Sequence, residues 1–268
     1  MMAVRMQYFP GGRNKALTFS YDDGPAGDRR LVELFNRYGL RGTFHLNSAN
    51  MGRGDKISAA EAATLYAGHE IAAHTCTHPY PKQLSNEELL QELLEDRRAL
   101  EAITGAPVRG LSYPYGHFDD RIVSLVRACG YAYSRTTKAD AGFTLPDDPY
   151  RWATTGHHKH DILQKTKDFL AMWDDKRRGP SLFYVWGHSF EFDRENNWSL
   201  MEDFAKQIAG RDDIWYATNI EIIDYLAAMR RLQYTVDGKV VCNPSAQSVW
   251  VAAQGEAREV PAGGCLRL

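Results

Sequence analysis

Short apolar runs alternate along most of this chain with longer stretches of helical periodicity. Leu17 to Ser20, Gly42 to Leu46, Glu70 to Ala73, Gly110 to Tyr113, Ala132 to Thr136 and Ser181 to Trp186 read as strands. Between and after them, Arg29 to Tyr38, Ser58 to Ala67, Ser85 to Thr104, Asp119 to Cys129, His160 to Trp173, Trp198 to Ala209 and Ile220 to Leu232 read as helices. The Ser85 segment is the clearest. Leu89, Leu93, Leu94 and Leu100 form an apolar face, Ser85 and Glu88 can make a capping box, and Gly105 can close the last turn. Ser58 with Glu61 offers the same start signal one helix earlier. Repeated strand–helix alternation implies an α/β fold of parallel strands joined by crossover helices, which a barrel or an open sheet would satisfy equally.

The pattern changes after about residue 232. Gln233 to Val236, Lys239 to Val241, Ser248 to Val251 and Cys265 to Leu268 are short strand patterns. Asp237-Gly238, Asn243-Pro244-Ser245 and Gly263-Gly264 separate them as turns. The division expected is therefore 1–232 for the α/β unit and 233–268 for a β appendage. The appendage is too short for its own core and is expected to serve as a structural cap rather than a sugar-binding module.

With 268 residues, 44% of them hydrophobic, the core needs no covalent staple. A net charge of -2 gives no sign of a basic surface for nucleic acid or anionic lipid, and neither partner is expected. No stretch is apolar enough to span a bilayer, and the first residues lack a signal-peptide core, so a cytoplasmic location is expected. In that compartment Cys76, Cys129, Cys242 and Cys265, dispersed and without a CxxC pair, are expected as reduced, mostly buried thiols.

Two fragments carry chemistry. Ser20-Tyr21-Asp22-Asp23-Gly24-Pro25 puts adjacent carboxylates at the end of a strand, where neighbours point to different sides and can hold different jobs. His74-Thr75-Cys76-Thr77-His78-Pro79 spaces two imidazoles so that both reach one ion from a helix or a short turn. One Asp and two His leave coordination positions open, the mark of a catalytic rather than a structural metal site. The other Asp is free to act as a base. Cys76 is not needed as a ligand, because the His pair already supplies the spacing.

Thr18-Phe19-Ser20-Tyr21-Asp22-Asp23-Gly24-Pro25 resembles the first motif of the polysaccharide deacetylases of the NodB-homology, carbohydrate esterase type. Gly68 to Pro79 resembles the second, Leu111-Ser112-Tyr113-Pro114-Tyr115-Gly116 the third, and Tyr184-Val185-Trp186-Gly187-His188 the last, in the family's order. The resemblance implies an irregular (β/α) barrel of about seven parallel strands. It implies Asp23, His74 and His78 as ligands of one divalent ion, with zinc the default and cobalt, nickel, manganese or iron compatible. It also implies Asp22 as general base, His188 as general acid towards a leaving amine, and the Tyr115 N–H as an oxyanion donor. Tyr113-Pro114 would fix the backbone at that donor.

The chain departs from the family at Ser112, where an Arg usually orients the base. Arg109, Arg135 or Arg151 could reach in instead, and Arg135, near a strand end, is the expected substitute. No clear Asp-x-x-Asp-Trp motif is present. Trp152 is expected as an apolar wall, and Asp140 or Glu191 as the acidic partner of His188. Thr154 to His160, with His157, His158 and His160, is expected to line the substrate rather than form a second metal site. Trp186, Phe190, Phe192, Trp198 and Tyr216 could stack on a sugar or simply fill the core.

The function expected is metal-dependent removal of an N-acetyl (or O-acetyl) group from a carbohydrate. Tyr113, Pro114, Trp152, His157 and Trp186 would contact an acetylated sugar, a small soluble one or a nucleotide- or lipid-linked one if the chain stays inside the cell. Two alternatives remain. The same site could open a cyclic imide or ureide, or the chain could be a non-catalytic sugar- or metal-binding relative, which the presence of all five acidic and imidazole residues argues against. Oligomeric state is not legible.

Overall fold

The computed structural model describes residues 7–172, 179–253 and 255–268. In chain order the first half runs β1 (Gln7–Tyr8), β2 (Lys15–Asp22), α1 (Asp28–Arg37), β3 (Thr43–Leu46), α2 (Ala59–Leu65), β4 (Glu70–Ala73), α3 (Asn86–Thr104), β5 (Gly110–Ser112), α4 (Asp120–Ala128) and β6 (Tyr133–Arg135). The second half runs β7 (Gly156–His157), α5 (Ile162–Ala171), β8 (Ser181–Gly187), α6 (Phe190–Arg194), α7 (Trp198–Ile208), β9 (Ile214–Tyr216) and α8 (Asn219–Arg230). Five short strands follow: β10 (Gln233–Tyr234), β11 (Val240–Cys242), β12 (Val249–Ala253), β13 (Glu256–Val260) and β14 (Cys265–Arg267). Trp173, the expected end of the fifth helix, and the opening residues 1–6 lie outside the described residues.

Seven parallel strands in the order β6-β5-β4-β3-β2-β8-β7 curl into a half-barrel, and β9 pairs with the first residues of β2. This is the irregular barrel of about seven strands that the sequence resemblance implies. The segment after β6 ties its two flanks together. Trp152 N–H donates to Ser134 O, and Thr155 N–H donates to Tyr184 O. Helix ends follow the cap signals. Ser85 and Glu88 form the expected capping box, Gly105 takes a left-handed φ of 64°, and Ser58 accepts from Glu61 N–H. The last long helix starts earlier than its apolar pattern suggests, because Thr218 and Glu221 form a second capping box.

β2 shows how the sheet divides its surroundings. Leu17, Phe19 and Tyr21 pack with Leu31, Val32 and Phe35 of α1 in the main apolar core. The alternate residues Thr18, Ser20 and Asp22 are also buried, but on the inner face. The inner face is polar. Thr18 Oγ1 donates to Asn219 Oδ1 and Asn219 Nδ2 donates to Tyr184 Oη. Glu70 accepts from Tyr133 Oη, Thr43 Oγ1 and Ile220 N–H, each at 2.8 Å. A Cβ on Gly110 would lie 2.2 Å from the Tyr133 hydroxyl, so glycine there lets the phenol reach Glu70. These hydrogen bonds satisfy buried groups that would otherwise cost stability.

Beneath this polar floor sits a second apolar cluster, including Phe9, Ala16, Leu182, Ile222, Tyr225 and Val249. It joins the strand starts to α8 and to the antiparallel sheet β1-β12-β13. Tyr225 Oη donates to Tyr8 O and accepts from Trp250 N–H. The C-terminal strands thus pack at the end of the barrel opposite Asp22. The second small sheet, β10-β11-β14, places Cys242 opposite Cys265, and the two form a disulfide. This corrects the expectation of four reduced thiols. Pairing across antiparallel strands brings together cysteines far apart in sequence, which spacing alone does not reveal. Cys76 and Cys129 are free.

Burial pushes the Glu70 carboxyl up to about 7, against the lowering effect of its three hydrogen-bond donors. A carboxyl with a raised folded-state value holds its proton longer when folded, so stability falls as pH rises from about 4.5 to 7 and then levels. The Glu70 contribution to that fall is on the order of 3 kcal/mol. Urea denaturation between pH 4.5 and 8 is expected to show a shallower fall in Glu70→Gln than in the wild type. Identical pH slopes would refute the assignment.

Candidate active site

β2 ends on Asp22, whose side chain turns into the barrel. The chain then leaves the strand at Asp23 in a left-handed conformation (φ 75°), with Asp23 N–H held on His45 O at 2.9 Å. Consecutive carboxylates thus take different positions: Asp22 is buried and Asp23 half-buried. Thr75 (φ 66°), His78 (φ 62°) and Tyr115 (φ 57°) are left-handed too. Among the described residues six non-glycine positions have positive φ, and four of them are here. Such conformations persist where surrounding contacts impose them.

Those contacts are visible around His74. Asp96 on α3 accepts from the backbone N–H groups of His74 and Ser48, and Asn47 Nδ2 donates to His74 O and Thr75 O. Within the imidazole, Nδ1 lies 2.8 Å from Ser112 O. A carbonyl can only accept, so Nδ1 carries the proton and Nε2 presents its lone pair. That lone pair is 3.8 Å from Asp23 Oδ1 and 3.8 Å from Asp22 Oδ2, while His78 Nε2 is 3.8 Å from Asp23 Oδ1. Burial lowers the His74 imidazole to about 4, so it is neutral at ordinary pH. One oxygen, one free imidazole lone pair and a second imidazole nitrogen converge as a three-donor set that fits a divalent ion.

Arg135, at the end of β6, is fully buried and donates through Nη2 to Asp22 Oδ2. It stands opposite Ser112 in the β5–β6 register, so the guanidinium arrives from the strand next to Ser112. Ser112 Oγ lies 2.7 Å from His74 Nδ1 and 3.3 Å from Asp22 Oδ1. The guanidinium also stacks over the Trp186 ring at 4.6 Å. Arg109 is engaged with Asp224, and Arg151 with Asp148 and Asp120. Burial pushes the Asp22 carboxyl up, but Arg135, His74, His45 and His188 outweigh it and hold the group well below the usual carboxylate range.

His188 follows β8. A Cβ on Gly187 would lie 2.0 Å from His158 Nδ1, so glycine allows the two segments to approach. The His188 N–H donates to Glu191 Oε2 at 3.2 Å, and its Nδ1 is 3.6 Å from the same oxygen. Burial alone would lower His188; Glu191, Asp22 and Asp23 raise it above its ordinary value. Glu191 is a hub. His157 Nε2 (3.0 Å) and His158 Nε2 (3.4 Å) also face Oε2, and Lys159 Nζ reaches Oε1 at 2.9 Å. The spacing of His157, His158 and Glu191 would admit an ion, but the protons are arranged against it. Lys159 N–H donates to His157 Nδ1, so that ring's proton sits on Nε2 and points at Glu191. This is the reverse of the arrangement at His74.

Of the residues expected at the site, Asp22, Asp23, His74, His78, Arg135, His157, Trp186 and His188 are brought together, with Tyr115 on the rim against His78. Three are not. Tyr113 is buried against Phe118 and donates to Tyr150 O, Pro114 is buried, and Trp152 packs on Tyr133 and Tyr184 in the lower core. Strand alternation explains Tyr113, which points opposite to Ser112. Asp140 is exposed on the loop after β6. Phe192 and Trp198 are buried in the main core. Sequence reasoning missed His45, Asn47 and Asp96. Asp96 had a signal: it interrupts the apolar stripe Leu89, Leu93, Leu100 of α3. His45, whose Nε2 is buried without a hydrogen-bond partner, had none.

The family model described as "Polysaccharide deacetylase" matches residues 10–134. Over this stretch the chain is similar to that family. The stretch holds Asp22, Asp23, His74, His78, Ser112 and Tyr115, whereas Arg135, His157, His188 and Glu191 lie beyond it. Chitin deacetylase 1 of Cryptococcus neoformans is 27% identical over 139 residues, 51% of this chain and 29% of the relative. A peptidoglycan-N-acetylglucosamine deacetylase of Bacillus cereus is 24% identical over 144 residues, 53% of this chain and 62% of the relative. In both, the match spans less than two thirds of the relative. The crystal structure of the allantoinase Puue superposes with a TM-score of 0.64, covering 80% of this chain and 91% of that one at 15% identity, a likeness of fold alone.

Removing Arg135 leaves Asp22 buried and unpaired, a change that typically costs about 3–5 kcal/mol. Arg135→Leu is expected to lose that much in urea denaturation, and Asp22→Leu combined with it to recover part of the loss. A double variant less stable than the single one would contradict the pairing.

Proposed function

We propose that the chain is a metal-dependent deacetylase that hydrolyses the N-acetyl group of a carbohydrate. The observation that carries the reading is the lone pair of His74, freed by Ser112 O and set beside Asp23, His78 and the buried Asp22–Arg135 pair. Asp23, His74 and His78 would hold one divalent ion, zinc being the default for such donors. When bound, the ion supplies Lewis acidity that polarises the acetyl carbonyl and makes water easier to deprotonate.

The protein's own groups do the rest. Asp22, kept ionised by Arg135, accepts a proton from the attacking water. The Tyr115 N–H, on a backbone fixed by Pro114 and a left-handed turn, donates to the oxygen where negative charge develops. His188, its proton affinity raised by Glu191 and the two Asp residues, protonates the departing nitrogen, which would otherwise leave as a poor anion. The match of residues 10–134 to the polysaccharide deacetylase model and the similarity to chitin and peptidoglycan-N-acetylglucosamine deacetylases support this class of substrate.

The disulfide supports an oxidising compartment. A glycan met there fits better than the intracellular sugar, small and soluble or nucleotide- or lipid-linked, expected from sequence. No helix among the described residues is long and apolar enough to cross a membrane.

Metal analysis of purified protein is expected to find about one divalent ion per chain, with both ion and acetate release lost in His74→Ala. Full turnover of the metal-free variant would sink the mechanism, and turnover of a cyclic ureide but of no acetylated sugar would reassign the substrate. His188→Ala is expected to keep the ion and lose about 10²–10⁴-fold in rate. An acid must be protonated to act, so activity should fall as pH rises through a His188 value above the ordinary one. Glu191→Gln removes the anion that raises His188, and is expected to move that alkaline limb of the kcat/KM profile to lower pH. An unmoved limb would exclude Glu191 from the role.

A further inference from the structure

Asp28, the first residue of α1, is a fully buried carboxylate that the mechanism leaves unused. Among the described residues its side-chain partners are hydroxyls rather than cations. Oδ1 accepts from Ser189 Oγ at 2.5 Å, and Oδ2 accepts from Tyr66 Oη at 2.7 Å. Burial pushes the carboxyl up to about 7, even though both donors lower it. A carboxyl group is a costly way to fill a buried position, so its reason lies in what it joins.

Tyr66 ends α2. Ser189, itself fully buried, follows His188 directly and opens α6, yet its hydroxyl does not cap that helix. It donates to Asp28 instead. The Asp28 N–H donates to Pro25 O at 2.9 Å, which ties the residue to the loop that leaves β2 through Asp23. The β2–β8 ladder ends at the Tyr21–Gly187 pair, one residue short of both Asp22 and His188. Beyond that point the Asp28–Ser189 bond continues the connection between the two loops. Gly27 permits the approach, since a Cβ there would lie 3.1 Å from the Ser189 backbone.

We propose that Asp28 is a positioning residue for His188, fixing it through Ser189 to the loop that carries Asp22 and Asp23. The inference rests on the deacetylase reading, in which His188 protonates the departing nitrogen. The acetyl carbon and that nitrogen are bonded to each other, so the acid and the two Asp residues must keep a set separation. The ladder alone does not set it, because these residues lie past its last pair. A misplacement of about 1 Å typically costs about 10²-fold in rate. Each Asp28 oxygen takes one hydroxyl, and these directional bonds hold the loops where an apolar contact would let them slide.

The test starts from Asp28→Asn, which keeps the shape of the side chain. It is expected to keep the fold, the bound ion and a KM within about twofold, and to lower kcat on the N-acetylglucosamine tetramer about ten- to hundredfold. Ser189→Ala should do the same, and the double variant should lose no more than either single one, because both break one link. The same substitution is then made in His188→Ala. With no imidazole left to place, Asp28→Asn should cost nothing further there. An equal loss in that background, no loss in the wild type, or loss of the ion would overturn the assignment and leave the deacetylase intact. Should Asp28→Asn fail to fold, Ser189→Ala carries the same comparison. If the wild type releases no acetate from the tetramer, the deacetylase reading fails, and proton NMR of the His188 imidazole still decides the placement. Signals displaced by Asp28→Asn would support it; unmoved signals would overturn it.

Discussion

The buried pair between Asp22 and Arg135 is the constraint around which the upper half of the barrel is arranged. A carboxylate in this position is costly unless a cation is delivered to it, and a buried guanidinium is costly without an anion. β2 supplies one and β6 the other, from strands separated by β3, β4 and β5. The pair therefore forms only when the sheet has curled. Once formed, it leaves the other Asp22 oxygen to Ser112 and the guanidinium face to Trp186. Ser112 in turn fixes the tautomer of His74 through its carbonyl. One electrostatic requirement thus sets the state of a buried carboxylate, an imidazole with an outward lone pair and an aromatic wall.

The polar lining of the barrel has the same logic at a lower level. Glu70, Tyr133, Thr43, Asn219, Thr18 and Tyr184 satisfy one another where aliphatic layers would be the common solution. This layer separates the charged upper site from the apolar cluster that seats α8 and the C-terminal strands. Because those strands pack at the far end, they stabilise the barrel without covering the site.

Two imidazole groups, those of His74 and His157, have opposite proton arrangements, and this separates their chemistry. At His74 a carbonyl takes the Nδ1 proton and leaves a lone pair outward. At His157 a backbone N–H takes the Nδ1 lone pair and turns a proton toward Glu191. The first group could take a cation; the second faces the Glu191 carboxylate, which also faces His188.

The sequence by itself determined the parallel α/β architecture and most element boundaries, and it singled out Asp23, His74 and His78, because these depend on local periodicity, cap residues and short-range spacing. It also pointed to Arg135 in place of the motif Arg, since a strand-end Arg can reach a barrel interior. Only the tertiary structure decided what depends on register and side-chain direction. Tyr113 and Trp152 turned into the core, and Cys242 met Cys265 across a sheet. Asp96 and Asn47 clamp a loop they are remote from in sequence. The preference between Asp140 and Glu191 followed from α6 starting directly after His188, which sets Glu191 one helical turn away and leaves Asp140 in solvent. Proton positions were beyond the sequence altogether, because each is fixed by whichever backbone group the fold presents to the ring.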